Sequence, residues 1–540
     1  MKKRILLATL MLPLLTGVVG CNNQGGGTTG DNVFEIIAPK NSMADSYKDM
    51  QILSDIAEQA GVEIEWENLT SSAYGTQKTT IMANRSKWPD AIYHAGFTNR
   101  ELIQYGSSRN YIVAIDKYLD YMPRFKEILE SRPDIKAAIQ SPDGHIYSLP
   151  RIEEMGLKAY PNILFLNKTW VAKLIDNNSL SFSLTKQDLK DGLSLTRNQY
   201  KEILTQFKAN DMNGNGNKND EIPLSFVSGN WQGNESDLLA SFGIPENKDH
   251  KTIINGEVKF TCQDSTWRKA ISEISTWYGA GLIDASVFED SQDAFLAKGK
   301  NDANGNPKYG SFYWWELETV VSPDQYDDYV VVQPLIDDET NKRYVGVSNE
   351  LEIEKGVAVI FSKCDNIPLL CSYFDKYYEP YNSAQINYGP KGVVFEEELD
   401  ENNMLVTKAL PEGVTTDELR LKYAPMGAIC LTENEWENYV HMEPRAKLRL
   451  ERLEAYVKPY TYEGATSIPN ISYTLEEIND LARYETNLGT AITEFFGSAL
   501  MNGRAISDAE WNAFQTKLTN AGIETVKSIN QAGYNRLIGK

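Results

Sequence analysis

The chain is poor in the residues that build redox and metal chemistry. Five cysteines and four histidines are spread over 540 residues. No CxxC pair occurs, and His94, His145, His250 and His441 lack metal-ligand spacing, which argues against zinc sites and thiol redox chemistry. A body of this size has no need of disulfide staples, so Cys262, Cys364, Cys371 and Cys430 read as buried free thiols. Positive charge is also short: 53 Lys and Arg stand against 75 Asp and Glu, for a formal charge of −22. Such a surface repels phosphate backbones, so no nucleic-acid partner is expected. Beyond the first twenty residues no apolar run is long enough to span a bilayer.

What is present begins with an address. Lys2, Lys3 and Arg4 precede an apolar run, Ile5 to Val19, that Pro13 and Gly17 interrupt. The run suits an export signal. It ends Val18-Val19-Gly20-Cys21, which resembles the lipobox of bacterial lipoproteins and marks Cys21 for lipidation. Residues 1–20 then read as a signal peptide, and their loss takes the formal charge from −22 to −25 by removing Lys2, Lys3 and Arg4. Residues 21–32, rich in Gly, Asn and Thr, have nothing to bury and read as a flexible tether. A lipid-anchored protein on the extracellular face of the cell membrane is expected.

Val33 to Ala38 reads as a strand, and Met50, Leu53, Ile56 and Ala57 recur at helical spacing before Gly61. Val62, Ile64 and Trp66 alternate as a second strand. A polar helix over Thr76 to Arg85 leads to a third strand at Pro89 to Tyr93. This rhythm predicts a parallel sheet with helices on its faces and ligands beyond the carboxyl ends of its strands. Asp90, Tyr93 and His94 are therefore ligand candidates. Further strands are read at Asn162 to Asn167, Gly310 to Trp315 and Gly356 to Phe361. Helices carry the apolar stripes Tyr200, Ile203, Leu204, Phe207 and Trp267, Ala270, Ile271, Ile274, Trp277. The tail is helical, with a Ser507–Glu510 capping box and a stop at Gly522.

The most specific internal motif runs from Asp211 to Glu221. Asp211, Asn213 and Asn215 occupy positions 1, 3 and 5 of a calcium loop, Gly216 the turn at 6, and Asn217 the carbonyl position 7. Position 12 is Ile222, so the usual bidentate Glu is missing there, and Asp220 and Glu221 come early. A structural Ca2+ held by Asp211, Asn213, Asn215, Asn217, Asp220 and Glu221 is expected.

The ordered series of lipobox, β-α-β start, WPDAIYHAG, DGHIYSLP, LFLNKTW, DMNGNGNKNDEIP, YGSFYWW, GVAVIFSK and helical tail resembles the family 1 extracellular solute-binding lipoproteins of ATP-driven sugar importers. The resemblance covers nearly the whole mature chain. It implies an α/β, two-lobed, periplasmic-binding-protein-like type II fold with interleaved lobes and hinge strands. Lobe 1 would comprise 33–155 and 354–440, lobe 2 156–353 and 441–540. It implies a monomer that captures an oligosaccharide between the lobes and hands it to the membrane permease subunits of an ABC importer, without catalysis. Aromatic plates cover the C–H face of a sugar while charged and amide groups bond its rim. Trp231, in the polar loop SGNWQGNES, and Trp314 and Trp315 are the candidate plates. Adjacent strand residues face opposite ways, so one of the last two belongs to the core. Arg151 and Glu153, after Leu149-Pro150, are candidate polar contacts, and Tyr473 a weaker one. The competing readings are a helical glycan-binding lipoprotein of the starch-utilisation type, a peptide-binding importer component, and a glycoside hydrolase. The last needs two carboxylates a few ångströms apart, and no catalytic motif supports it.

Overall fold

The computed structural model describes residues 32–155, 160–300, 302, 305–347, 352–410, 414 and 416–540. The expected signal peptide, Cys21 and all but the last residue of the expected tether lie outside the described residues. In chain order the strands are β1 (Val33–Lys40), β2 (Glu63–Thr70), β3 (Ala91–Tyr93), β4 (Leu149–Glu153), β5 (Ile163–Asn167) and β6 (Lys251–Ile254). They continue with β7 (Glu257–Phe260), β8 (Ser311–Trp314), β9 (Tyr329–Val332), β10 (Ile353–Ile360), β11 (Ile429–Leu431) and β12 (Ala465–Ser467).

The apolar run Ile36 to Ala38 makes β1 the spine of the first body, buried there on both faces as a central parallel strand requires. The helix Gln51–Ala60 returns the chain, and Gly61, at φ 67°, ends it in the left-handed conformation that glycine adopts without strain. β2 then pairs parallel to β1 with Val33 opposite Glu63, and β3 pairs on its other side. The full order is β11-β4-β10-β3-β1-β2, in which β10 alone runs antiparallel to its neighbours. Strands from opposite ends of a 400-residue stretch therefore share one sheet. The carboxyl ends of β1, β2, β3, β4 and β11 open on one edge, from which the chain leaves after β4 and returns into β10.

The second body centres on the three-stranded sheet β8-β5-β9. Parallel bridges Leu224↔Ile283, Ser225↔Phe312 and Leu193↔Val332 extend it on either side. A hairpin of β6 and β7 with β12 forms a third small sheet. The tail helices Leu475–Met501, Asp508–Asn520 and Ile523–Leu537 pack on this body through a core shared with the helix Ser265–Gly279. Trp267, fully buried, stacks on Phe514 at 5.9 Å, and Ser275 Oγ donates to the Ala499 carbonyl. The apolar stripes read from the sequence thus form the core, including both Trp267 and Trp277. The four cysteines of the body are buried and free. Among the described residues no helix is long and apolar enough to cross a membrane.

Candidate functional site

At the carboxyl end of β4, residues two apart share a face, so Arg151 and Glu153 point the same way. Arg151 Nη2 pairs with Glu153 and donates to Asn387 Oδ1 at 2.6 Å. The Asn387 amide in turn donates to Glu153, and the Tyr388 hydroxyl reaches the same carboxylate at 3.2 Å. Arg420 closes the group, donating to Asn387 Oδ1 at 2.6 Å with its guanidinium 4.9 Å from the Tyr388 ring centre. Burial alone would raise the pKa of Glu153, but Arg151, Arg420 and the Asn387 bond outweigh it and hold the carboxyl down at about 2. The result is a rigid, charge-paired platform on the sheet edge.

Facing it across a cavity of ≈ 690 Å³, counted with its open mouth, is the second body. Met155, Tyr388 and Trp436 line one wall, Trp315, Glu316 and Arg449 the other. Alternation at the end of β8 sorts the tryptophan pair. Trp314 is fully buried, stacked on Phe295 at 4.9 Å with its Nε1 donating to Thr319 Oγ1 at 3.0 Å. Trp315, one residue on, is half-buried and lines the cavity. Trp314 is therefore corrected from ligand candidate to core residue. The helix Pro444–Tyr456 brings in two arginines. Arg445 ion-pairs with Glu316 at 3.3 Å and Glu443 at 3.5 Å. Arg449 is 2% exposed, with its guanidinium 5.6 Å from the Trp315 ring centre, and none of its three nitrogens has a hydrogen-bond partner.

Trp231, 43% exposed, lines a separate recess of ≈ 670 Å³ with Tyr160, Asn162, Asp237 and Gly346. Its loop is fixed from below. Asn234 is held by Asn162 and Asn230, and Gly233, at φ 64°, sits where a Cβ would meet the Trp314 ring at 2.1 Å. Burial pushes the Asp237 carboxyl up to about 6.

Three other candidates are placed elsewhere. Asp90 precedes β3, at the opposite edge of the sheet, where its carboxylate accepts the Glu35 amide at 2.9 Å. The strand is two residues shorter than expected and starts after Asp90, which lies at its amino end, away from the carboxyl edge where ligands are expected. Tyr93 is fully buried, packed so tightly that a Cβ on Gly427 would overlap its ring. His94, at φ 59°, is bonded through Nε2 to the Pro425 carbonyl, and burial lowers its pKa to about 4, leaving it neutral. Tyr473 joins the tail core and donates to Asn530 at 2.8 Å. Of the predicted contacts, Trp315 lines the cavity, Arg151 and Glu153 pair behind its wall and reach it through Tyr388 and Arg420, and Trp231 lines the separate recess. Tyr388, Asn387, Arg420, Trp436 and Arg449 were missed, since no local motif marks them.

The loop from Asp211 is tightly self-bonded. Asp211 accepts the amides of Gly214 and Gly216, each at 2.7 Å, and Asn213, Asn215 and Asn217 each accept the amide two residues on. Glu221, 3% exposed, turns back into the loop and accepts the Met212 amide at 2.7 Å, while Ile222 joins the sheet beside Tyr309. One oxygen of Glu221 and one of Asp220 have no hydrogen-bond partner. Two orphaned carboxylate oxygens among amide oxygens fit a hard cation. Glu221 stands where it would supply the carboxylate that position 12 lacks. Among the described residues no three His, Cys, Asp or Glu side chains converge, so a cation here would draw on Asn oxygens as well.

Two interleaved α/β bodies facing each other across a cavity define a two-lobed solute-binding protein. The chain is 30% identical over 499 residues to the fructooligosaccharide ABC transporter substrate-binding protein FusA of Streptococcus pneumoniae serotype 4, covering 90% of this chain and 86% of that one. It belongs to the substrate-binding proteins of ABC transporters. The solved structure of FusA with kestose superposes with a TM-score of 0.79 at 28% identity, over 94% of this chain and all of that one. A second FusA structure, an EF-hand mutant with fructo-nystose, gives 0.78 at 27% identity over the same shares of the two chains. A human-milk-oligosaccharide-binding protein of Bifidobacterium longum infantis shares the fold at 0.78 with 20% identity, over 94% of this chain and 99% of that one. No protein-family model matches the chain.

Proposed function

We propose that this protein is the lipid-anchored, extracellular capture subunit of an ABC importer. It closes two lobes around an oligosaccharide and presents it to the permease, without chemical change to the sugar. The observation that carries this reading is the cavity between the bodies. Trp315, Tyr388 and Trp436 give it flat apolar walls, and Arg420, anchored on Asn387 behind the wall, with Arg445, Glu316 and Arg449 give it polar groups. That is the dual surface a sugar ring presents. The relative's ligand makes kestose the first compound to test.

The lobes are assigned as 33–155 with 354–440 and 156–353 with 441–540. Sheet membership supports the first two crossings. The third is supported near 440–446, because Val440 and Ala446 pack in the first core and Leu453 in the second. A monomer tethered through Cys21 fits the acidic, exposed body. The loop at 211–221 holds Ca2+ as a structural ion, a reading supported by its orphaned oxygens and by the EF-hand of the relative. The starch-utilisation type of glycan binder, a helical-repeat scaffold, does not match the sheet topology. Small-angle scattering tests the proposal: kestose should reduce the radius of gyration, and an unchanged curve at saturating sugar overturns lobe closure.

A further inference from the structure

Arg449 is an anomaly of this cavity. Its side chain is 2% exposed, and its Nε, Nη1 and Nη2 are all without hydrogen-bond partners. A guanidinium presents five N–H donors in a planar fork, and leaving them unmet in a dry site costs far more than exposing them. The other cations lining the cavity and its floor are committed: Arg445 to Glu316 and Glu443, Arg420 to Asn387, Arg151 to Glu153 and Asn387. Among the described arginines of the site, Arg449 alone has no hydrogen-bond partner on any of its three nitrogens, and it stands beside the plate of Trp315.

The charge around it sets what it can take. Glu352, Glu316 and Glu153 act on Arg449 through space, although burial still outweighs them and lowers its pKa. Counting Glu443 as well, four carboxylates stand against Arg151, Arg420, Arg445 and Arg449. Glu354 acts on Arg151 as well, so among the described residues a ligand carboxylate would meet several carboxylates that already face these arginines. What is missing is acceptor oxygens, not negative charge.

We propose that Arg449 is the specificity-determining donor of the site, taking two adjacent hydroxyl oxygens of a neutral glycosyl ring laid on Trp315. Vicinal hydroxyls present oxygens at a spacing that matches the guanidinium fork, as a carboxylate does. Lysine, a point donor, does not reproduce this geometry. The inference rests on the oligosaccharide reading and narrows it to neutral sugars with a free vicinal diol on the ring that reaches Trp315.

The test is calorimetric titration of the full-length mature chain and its Arg449→Met and Arg449→Lys variants with kestose, nystose, maltotriose and trigalacturonate. Two charge-assisted hydrogen bonds at roughly tenfold each predict about a hundredfold loss of neutral-sugar affinity for R449M. R449K should recover about tenfold of it at most. The ligand-free R449M variant should melt at or above the wild-type temperature, because an unpaired buried cation has been removed. Neutral sugar bound by R449M within threefold of wild type overturns the inference and leaves the oligosaccharide reading standing. So does a marked fall in the ligand-free melting temperature of R449M, which would make Arg449 structural. Tighter binding of trigalacturonate than of any neutral sugar overturns the neutral assignment. Wild-type protein that binds none of the four overturns both readings.

Discussion

Replacing each member of the Trp314–Trp315 pair by alanine separates packing from recognition. Trp314 is fully buried, stacked on Phe295 at 4.9 Å, bonded to Thr319 at 3.0 Å, and presses on Gly233. Truncating an aromatic of that kind costs about 3–5 kcal/mol, with about 1 kcal/mol more for the lost hydrogen bond. In a unit of about 300 residues each kcal/mol is worth about 1.6 °C, so W314A should lower the melting temperature of the second body by roughly 6–10 °C. Trp315 is half-buried, with one face on the cavity. W315A should shift the melting temperature by less than about 3 °C. It should weaken kestose binding by about 2 kcal/mol, roughly thirtyfold, from lost apolar contact with the ring. Differential scanning calorimetry and isothermal titration on the same preparations measure both quantities. A W314A variant of unchanged stability but lost binding, or a W315A variant that binds normally, would refute the assignment of the pair.

Two further outcomes follow from the charged groups. The Glu153 carboxyl is held at about 2, below its ordinary value near 4.5. Its contribution to stability is therefore complete above about pH 4.5 and lost as the pH falls toward 2, and Glu153→Gln should flatten the acid limb of melting temperature against pH. Calcium should raise the melting temperature of the wild type and a chelator lower it, by an amount equivalent to about 2.7 kcal/mol at a hundredfold excess over the dissociation constant. Glu221→Gln, which keeps the acceptor for Met212 but loses the charge, should abolish that response; calcium-insensitive melting of the wild type would remove the ion from the loop.

Much of the fold was legible because it is written in local periodicity. The stripe Tyr200, Ile203, Leu204, Phe207 and the alternation of β2 follow from how helices and strands bury one side. The parallel pairing of the start was legible for β1 to β3, whose connections are short, but not the order of the strands. That β10 and β11 sit beside β4 depends on contacts more than 190 residues apart, which no local pattern encodes. The site follows the same rule. Trp315 was visible as half of an alternating pair, and Arg151 and Glu153 as polar residues at a strand end. Asn387, Arg420 and Arg449 become a site only when two bodies meet, and each taken alone looks like a solvated helix residue. Asp90 was misplaced because it opens its strand and so lies at the amino end, not at the carboxyl edge, and Tyr93 because a strand end can be sealed by a neighbouring loop, here Gly427.

The central claim, that the cavity between the bodies holds a neutral oligosaccharide, is tested most directly by titrating the mature chain with kestose in a calorimeter at several temperatures. The account predicts saturable binding of one sugar per chain with a negative heat-capacity change, as apolar ring faces are buried against Trp315 and Tyr388. Absence of heat with kestose and other neutral oligosaccharides, together with saturable binding of a peptide, would contradict it.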